Sequence, residues 1–254
     1  MLHTLILRLQ GPVQTWGTAG SQFDYTRTEH RPTKSAVIGL VANAMGRVRD
    51  DDISDLAGCL FSVRADIPGT VATDYRTAGG GSFPADMKTW AEAPRGYQVD
   101  DLNRISSYGA PTTSNNFSYA GKSRTTVLRH RELIMGAGYC VGLTGPAELI
   151  DVIEKACEVP ARPVFLGAKA CPPSHPLVHQ RFMSDEHVSW ARTLDRLDGA
   201  VVTAPFTWRE EPSSEAVMFN ELPVSTVNGG KRGVLLRQYT VDPTTHVETP
   251  VVLT

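Results

Sequence analysis

Between residues 77 and 123 every regular spacing of apolar residues breaks down, and the ordered patterns on either side mirror each other. Upstream the chain reads strand, helix, strand, strand; downstream it reads strand, strand, helix, strand. Leu2 to Leu9 alternates, with Leu5, Leu7 and Leu9 on one face, which predicts a first strand. Thr33 behind Pro32 is placed to cap a helix. Val37, Ile38, Val41, Ala44 and Met45 form its apolar stripe, and Gly46 ends it. A short helix is expected from Asp51 to about Leu60, its acidic start (Asp50, Asp51, Asp52) facing the positive end of the dipole. Phe61 to Ile67 and Thr70 to Arg76 read as strands joined by a Pro-Gly turn, and Thr125–Met135 and Tyr139–Leu143 as another pair. Pro146 to Cys157 reads as a helix, and Val164–Gly167 as the short strand that closes the unit. This order predicts an α+β, ferredoxin-like domain over residues 1–175 with a long insertion at 77–123. The Cys171-Pro-Pro-Ser-His-Pro stretch marks a boundary, and 176–254 is expected to be a small β-rich region with strands near 200–208, 216–219, 232–241 and 247–253.

At 254 residues and 41% apolar content the chain can bury a core without disulfides or a structural metal. Cys59, Cys140, Cys157 and Cys171 are far apart and form no CxxC pair, so no metal site or cofactor is expected. No apolar run reaches the roughly 18 residues that cross a bilayer. The opening MLHTLILRLQ lacks a basic n-region and reads as a strand, which makes the cytoplasm the expected location. Net charge is −2, which argues against a general nucleic-acid coat. Residues 1–49, however, hold six cations against two anions, a basic end suited to one short anionic segment.

Four segments carry candidate chemistry. In PTKS (32–35), Thr33, Lys34 and Ser35 stand at a helix start, where first-turn N–H groups, hydroxyls and an ammonium can receive an anion. The alternative is a plain N-cap with a solvated lysine. The GxxxxGK[ST] pattern of nucleotide hydrolysis is absent. In GPVQTWG (11–17), Trp16 can stack on a base or fill the core, the commoner use. KSRTTVLRHR (122–131) holds Lys122, Arg124, Arg129 and Arg131 with no anion, Arg129 and Arg131 sharing one strand face. LGAKACPPS (166–174) sets Lys169 before a rigid Pro-Pro corner.

Together these segments resemble the CasD family, a subunit of type I-E Cascade surveillance complexes in CRISPR antiviral defence. The resemblance runs through LRLQGPVQTWG, RPTKSAVIGLVANAMGR, FSVRADIPG with DYRT, RELIMGAGYCVGLTG, VPARPVFLGAKACPPSHPL and KRGVLLRQY. Ala36 stands where relatives often have Gly, and Ala168 where an Arg is frequent. The resemblance implies a ferredoxin-like domain of the RRM/RAMP type whose 77–123 insertion is a thumb. It also implies a non-catalytic subunit that grips the 5′ handle of crRNA. Such a subunit caps the CasC backbone and seats the CasA large subunit, target DNA being read by guide base pairing. Gln14, Trp16, Thr33, Lys34 and Ser35 match the family's handle-facing loop and helix start. Arg27, Arg49, Arg76, Lys122, Arg124, Arg129 and Lys169 are added from charge and position, as residue types that hold single strands.

The rival within the same superfamily is a metal-independent endoribonuclease, the role of type I-C CasD relatives. It would need a general base and acid near the scissile phosphate. His30, His130, Tyr25 and Tyr119 are the candidates, and no spacing singles them out. No GxSxG, HExxH or strand-following GxGxxG supports a small-molecule enzyme.

Overall fold

The computed structural model describes residues 1–17, 25–48, 51–78, 109–111, 117–119, 127–183, 190–200, 206–210, 217–221 and 235–243. In chain order its elements begin with β1 (Leu2–Gln10), β2 (Val13–Gln14), β3 (Tyr25–Thr26), α1 (Lys34–Ala44), α2 (Ser54–Ala57), β4 (Leu60–Ile67) and β5 (Thr70–Ala78). Then follow β6 (Gly109–Pro111), β7 (Phe117–Tyr119), β8 (Val127–Met135), β9 (Gly138–Pro146), α3 (Ala147–Glu158), β10 (Val178–Phe182), α4 (Trp190–Thr193), β11 (Phe206–Glu210), β12 (Val217–Glu221) and β13 (Leu235–Pro243). Packing divides the chain into two units: Met1–Gln22, Thr26–Thr73 and Arg131–Thr254 form one, Phe23–Tyr25 and Asp74–His130 the other.

The first unit is an α+β assembly around an antiparallel sheet. Leu5 of β1 stands opposite Leu143 of β9, which stands opposite Phe61 of β4; Leu7, Val141 and Val63 make the next row. Such rows across three strands pack side chains of one face together. Val37, Ile38 and Val41 of α1, with Ile150, Ile153 and Cys157 of α3, close over them in one buried cluster. The start of α1 forms as its sequence predicts: Thr33 has extended backbone angles, and its Oγ1 accepts from Ala36 N at 3.4 Å. At the other end Gly46 takes φ +78°. Met45 N, Arg47 N and Gly46 N donate to the carbonyls of Val41, Ala42 and Asn43 (2.9, 2.9 and 3.0 Å) and Ala161 N to Ala44 O (2.8 Å), so the helix's last four carbonyls all have donors. Arg162 donates to the next two carbonyls, Gly46 O and Arg47 O.

Two expectations need correction. Residues 164–167 are not a strand; Leu166 N donates to Cys171 O at 2.7 Å and Leu166 O accepts from Thr15 N at 3.1 Å, so this backbone is spent on a turn. The strand beside β1 is instead β10, with Ile6 opposite Gln180. The C-terminal part is also no region apart from residue 176 onward. β10 pairs with β1 and β11 pairs with β4, giving the order β10-β1-β9-β4-β11-β13-β12 among the described residues. The edges of the three strands β1-β9-β4 would present unpaired N–H and C=O groups, and β10 and β11 cover them. The strand expected at 247–253 lies outside the described residues.

The second face of the sheet is buried as well. Ile6 and Cys140 pack with Trp190, Ala191, Leu194 and Leu197. The polar side of β4 lies here, with Ser62, Arg64 and Asp66 all buried. Arg64 gives Nε to Asp66 Oδ1 (2.7 Å) and Nη2 to Asp66 Oδ2 (2.8 Å) and Asp195 O (2.9 Å). Its Nη1 donates to Ala191 O and Leu194 O, both at 2.8 Å. Asp66 Oδ2 also accepts from Leu197 N at 3.0 Å. Removing both charges from water costs several kcal/mol each. Five charge-assisted bonds of about 1.5–3 kcal/mol apiece offset that cost only while every one is made. Trp190 closes the cluster, its Nε1 donating to Ser62 Oγ at 3.1 Å. A Cβ at Gly142 would lie 2.6 Å from that indole nitrogen, so only glycine admits the ring.

In the second unit β6 pairs with β7, Ala110 opposite Ser118, so the insertion contains a short hairpin. β5 extends to Ala78 and pairs with β8; the two strands run from the first unit into the second.

Arg64→Ala leaves Asp66 buried without its counter-ion and three carbonyls without donors. The expected loss is about 3–5 kcal/mol of unfolding free energy in a urea melt. A loss below about 1 kcal/mol would show that this cluster does not hold the second face.

Candidate nucleic-acid interface

The segments GPVQTWG and LGAKACPPS, far apart in sequence, form one interlocked pair of turns. Thr15 N donates to Leu166 O at 3.1 Å and Ser174 N to Gln10 O at 2.9 Å. Gly167 has φ +92°, and a Cβ there would fall 1.6 Å from Thr15 O, so no other residue fits. A third strip, residues 27–30, is zipped onto the same loop. Glu29 N donates to Trp16 O (2.7 Å), Trp16 N donates to Thr28 Oγ1 (2.7 Å), and Gly17 bridges Thr28. Tyr139 OH anchors that strip from beneath by donating to His30 O at 2.8 Å, and burial pushes its phenol well above the ordinary range.

Within this frame Gln14 and Trp16 are fully buried. Gln14 Nε2 donates to Ala137 O (2.7 Å) and Leu9 O (3.2 Å), while its Oε1 accepts the Trp16 indole N–H at 3.2 Å. Of the two uses open to Trp16, this conformation takes core filling and offers no ring face for stacking. Its indole and the Gln14 amide satisfy each other and hold the loop's shape.

The helix start differs from its expectation in the same way. Thr33 is buried, Ser35 half-buried, and Lys34 only 4% exposed. The Lys34 ammonium points inward and acts on the Cys59 thiol. Burial pushes that thiol up to about 11, and the Lys34 charge opposes the rise. Lys34 is therefore neither the solvated lysine nor the open anion ligand of the sequence reading. The neighbouring Arg31 is buried too, with Nη1 donating to Pro32 O at 3.3 Å.

Two exposed cations of this unit, Arg27 and Lys169, stand on the strips around the loop. Arg27 precedes Thr28 on the strip bonded to Trp16, and Lys169 lies in the turn that receives Thr15. In the second unit Arg129 is exposed on β8, and Arg76 on β5 is exposed beside Asp74, Nε to Oδ2 2.5 Å. Arg49, Lys122 and Arg124 lie outside the described residues. Among the described residues no group of three or more His, Cys, Asp or Glu side chains could hold a metal ion. No helix there is long and apolar enough to cross a membrane.

The family model of the CRISPR-associated protein (Cas_Cas5) matches residues 4–239. The chain belongs to the Cas_Cas5 family. The "CRISPR system Cascade subunit CasD" of Escherichia coli (strain K12) is 32% identical over 184 residues, which are 70% of each chain. The resemblance to CasD read from the motifs is thereby borne out. Among solved structures, a chain of a "CRISPR RNA-guided surveillance complex" aligns with TM-score 0.68 and 27% identity over 95% of this chain and 90% of that one. A second, described as "Crystal structure of Cas protein", shares the fold at TM-score 0.57 and 24% identity, covering 95% and 94% of the two chains.

For this Cas_Cas5 chain, the sequence reading missed two groups. The first is the Arg64–Asp66 pair; an Arg-x-Asp in a strand carries no sign that both faces are covered. The second is a row of rings in the second unit. Tyr25 stacks on His130 (centroids 5.7 Å, planes 24° apart), and Tyr75 meets His130 edge-on (5.0 Å, 66°). Tyr25 and His130, named separately as nuclease candidates, are thus neighbours, whereas His30 sits exposed in the first unit.

Two measurements check this geometry. Gly167→Ala must displace the Thr15 carbonyl as well as hold a left-handed backbone, and is expected to lower the stability read from a urea melt by about 2 kcal/mol or more; a wild-type midpoint would refute the interlock. Burial holds the thiols of Cys59, Cys140 and Cys157 up at about 11, 12 and 12. At pH 8 they stay protonated, so iodoacetamide is expected to leave them unlabelled until denaturant is added.

Proposed function

We propose that this chain is a non-catalytic subunit of a type I-E Cascade surveillance complex. In this reading it binds the 5′ handle of crRNA, caps the CasC backbone and lies next to the CasA-type large subunit. Target DNA is reached only through the guide's base pairing. The observation that carries the reading is the interlocked pair of turns. It consists of the segments that mark resemblance to CasD, and the exposed Arg27 and Lys169 stand around it. Similarity to a Cascade subunit at 32% identity, and to a chain of an RNA-guided surveillance complex at 27%, supports the same assembly.

The finer architecture follows from the same reading. Strand order β10-β1-β9-β4, with α1 and α3 on one face, supports a ferredoxin-like RAMP domain. The insertion leaving between β5 and β8 is taken as the thumb. Gln14, Trp16, Thr33 and Lys34 act from inside, shaping the loop and the helix start. Ser35, Arg27, Lys169, Arg76 and Arg129 are the contacts with RNA, joined by Arg49, Lys122 and Arg124. Binding uses no metal or cofactor and takes place in the cytoplasm.

Because the whole chain carries −2, the isolated subunit gains little from long-range attraction and depends on a few local phosphate contacts. Lys169→Glu is expected to weaken binding of a handle RNA and to reduce the salt slope by about 0.7, the share of one phosphate on a single strand. Equal affinity and slope in the variant would remove the turn from the interface. RNA recovered uncut after incubation in EDTA is the expected companion result. Specific cleavage that disappears in His130→Ala would establish the endoribonuclease instead.

A further inference from the structure

We infer that the ring row Tyr25–His130–Tyr75 is a platform on which one unpaired base of single-stranded RNA stacks. The inference rests on the RNA-binding reading above and adds a second contact class, in the second unit. β8 carries His130 and pairs with both β3 and β5, which carry Tyr25 and Tyr75. Three strands thus fix three rings, His130 contacting both tyrosines, at 5.7 Å to Tyr25 and 5.0 Å to Tyr75 between centroids. A row built for packing would be covered, yet Tyr75 is 55% exposed. A pre-positioned, half-open aromatic surface suits a flat π partner, since neighbouring rings hold each other and leave little side-chain entropy to lose on binding.

The surrounding charge selects the partner. Strand alternation places Arg76 and Arg129 on the opposite face from Tyr75 and His130, and both are exposed, Arg76 paired with Asp74. A ribbon with rings on one side and guanidinium groups on the other offers stacking for a base and cations within reach of the adjoining phosphates. A purely apolar protein segment would gain nothing from the neighbouring guanidinium groups, and a duplex would keep its bases stacked out of reach of the rings.

The test uses the full chain and a short single-stranded RNA with 2-aminopurine placed at one position at a time. Wild-type protein is expected to quench one position strongly. Tyr75→Ala is expected to abolish that quench and weaken binding about tenfold, within the range of base–aromatic stacking, while Tyr75→Phe retains both. Tyr75→Leu, which restores bulk without a π-face, separates stacking from local packing and is expected to behave like Tyr75→Ala. If wild-type protein binds the RNA but Tyr75→Ala changes neither affinity nor quench pattern, the platform is refuted and the RNA-binding reading stands. If wild-type protein binds none of the labelled RNAs, both fall.

Discussion

The Arg64 guanidinium sits where the sheet, the 190–197 segment and the Asp66 carboxylate meet, and its donors all find acceptors there. A four-residue helix such as α4 cannot stand alone, since helix nucleation is unfavourable and so short a segment adds little propagation. Arg64 supplies buried donors for the carbonyls of Ala191, Leu194 and Asp195, in and just after α4. With that segment docked, Trp190, Leu194 and Leu197 cover Ile6 and Cys140, and the sheet acquires a second buried face. Every element that later shapes the candidate interface hangs from strands fixed in this way, β1 above all. The arrangement is costly to break because neither charge can return to water without opening the segment.

The interface follows a division of labour. Residues that stand out in sequence as binding types, Gln14, Trp16, Thr33 and Lys34, are inside, where their polar atoms hold loops in place. Arg27 and Lys169, the exposed cations assigned to the proposed interface in this unit, are on the strips those loops support. For a chain of nearly balanced charge, the proposed binding relies on a few well-placed cations.

Much of the fold was legible. The alternation in β1, the Thr33 cap, the glycine after α1 and the amphipathic spacing of α3 each report a local preference that the structure keeps. Residues 164–167 were not legible, because a short apolar run has the same pattern whether its backbone pairs with a strand or with the turn of another loop. The boundary placed at 175 failed for a related reason. Pro-Pro and His-Pro mark a corner in the chain, but a corner does not say whether the next strand joins the old sheet or begins a new one.

The amino-acid order by itself determined most of the elements before residue 160 and the family, since periodicity, capping and motif spacing are local and survive without neighbours. Only the tertiary structure decided which face of a residue is used. Lys34 and Trp16 turn inward because another loop and another strand happen to lie there, and Tyr25, His130 and Tyr75 become one surface because three strands pair side by side. Burial and contact between distant residues are properties of the packed chain, set by what arrives from elsewhere, and no spacing along the sequence encodes them.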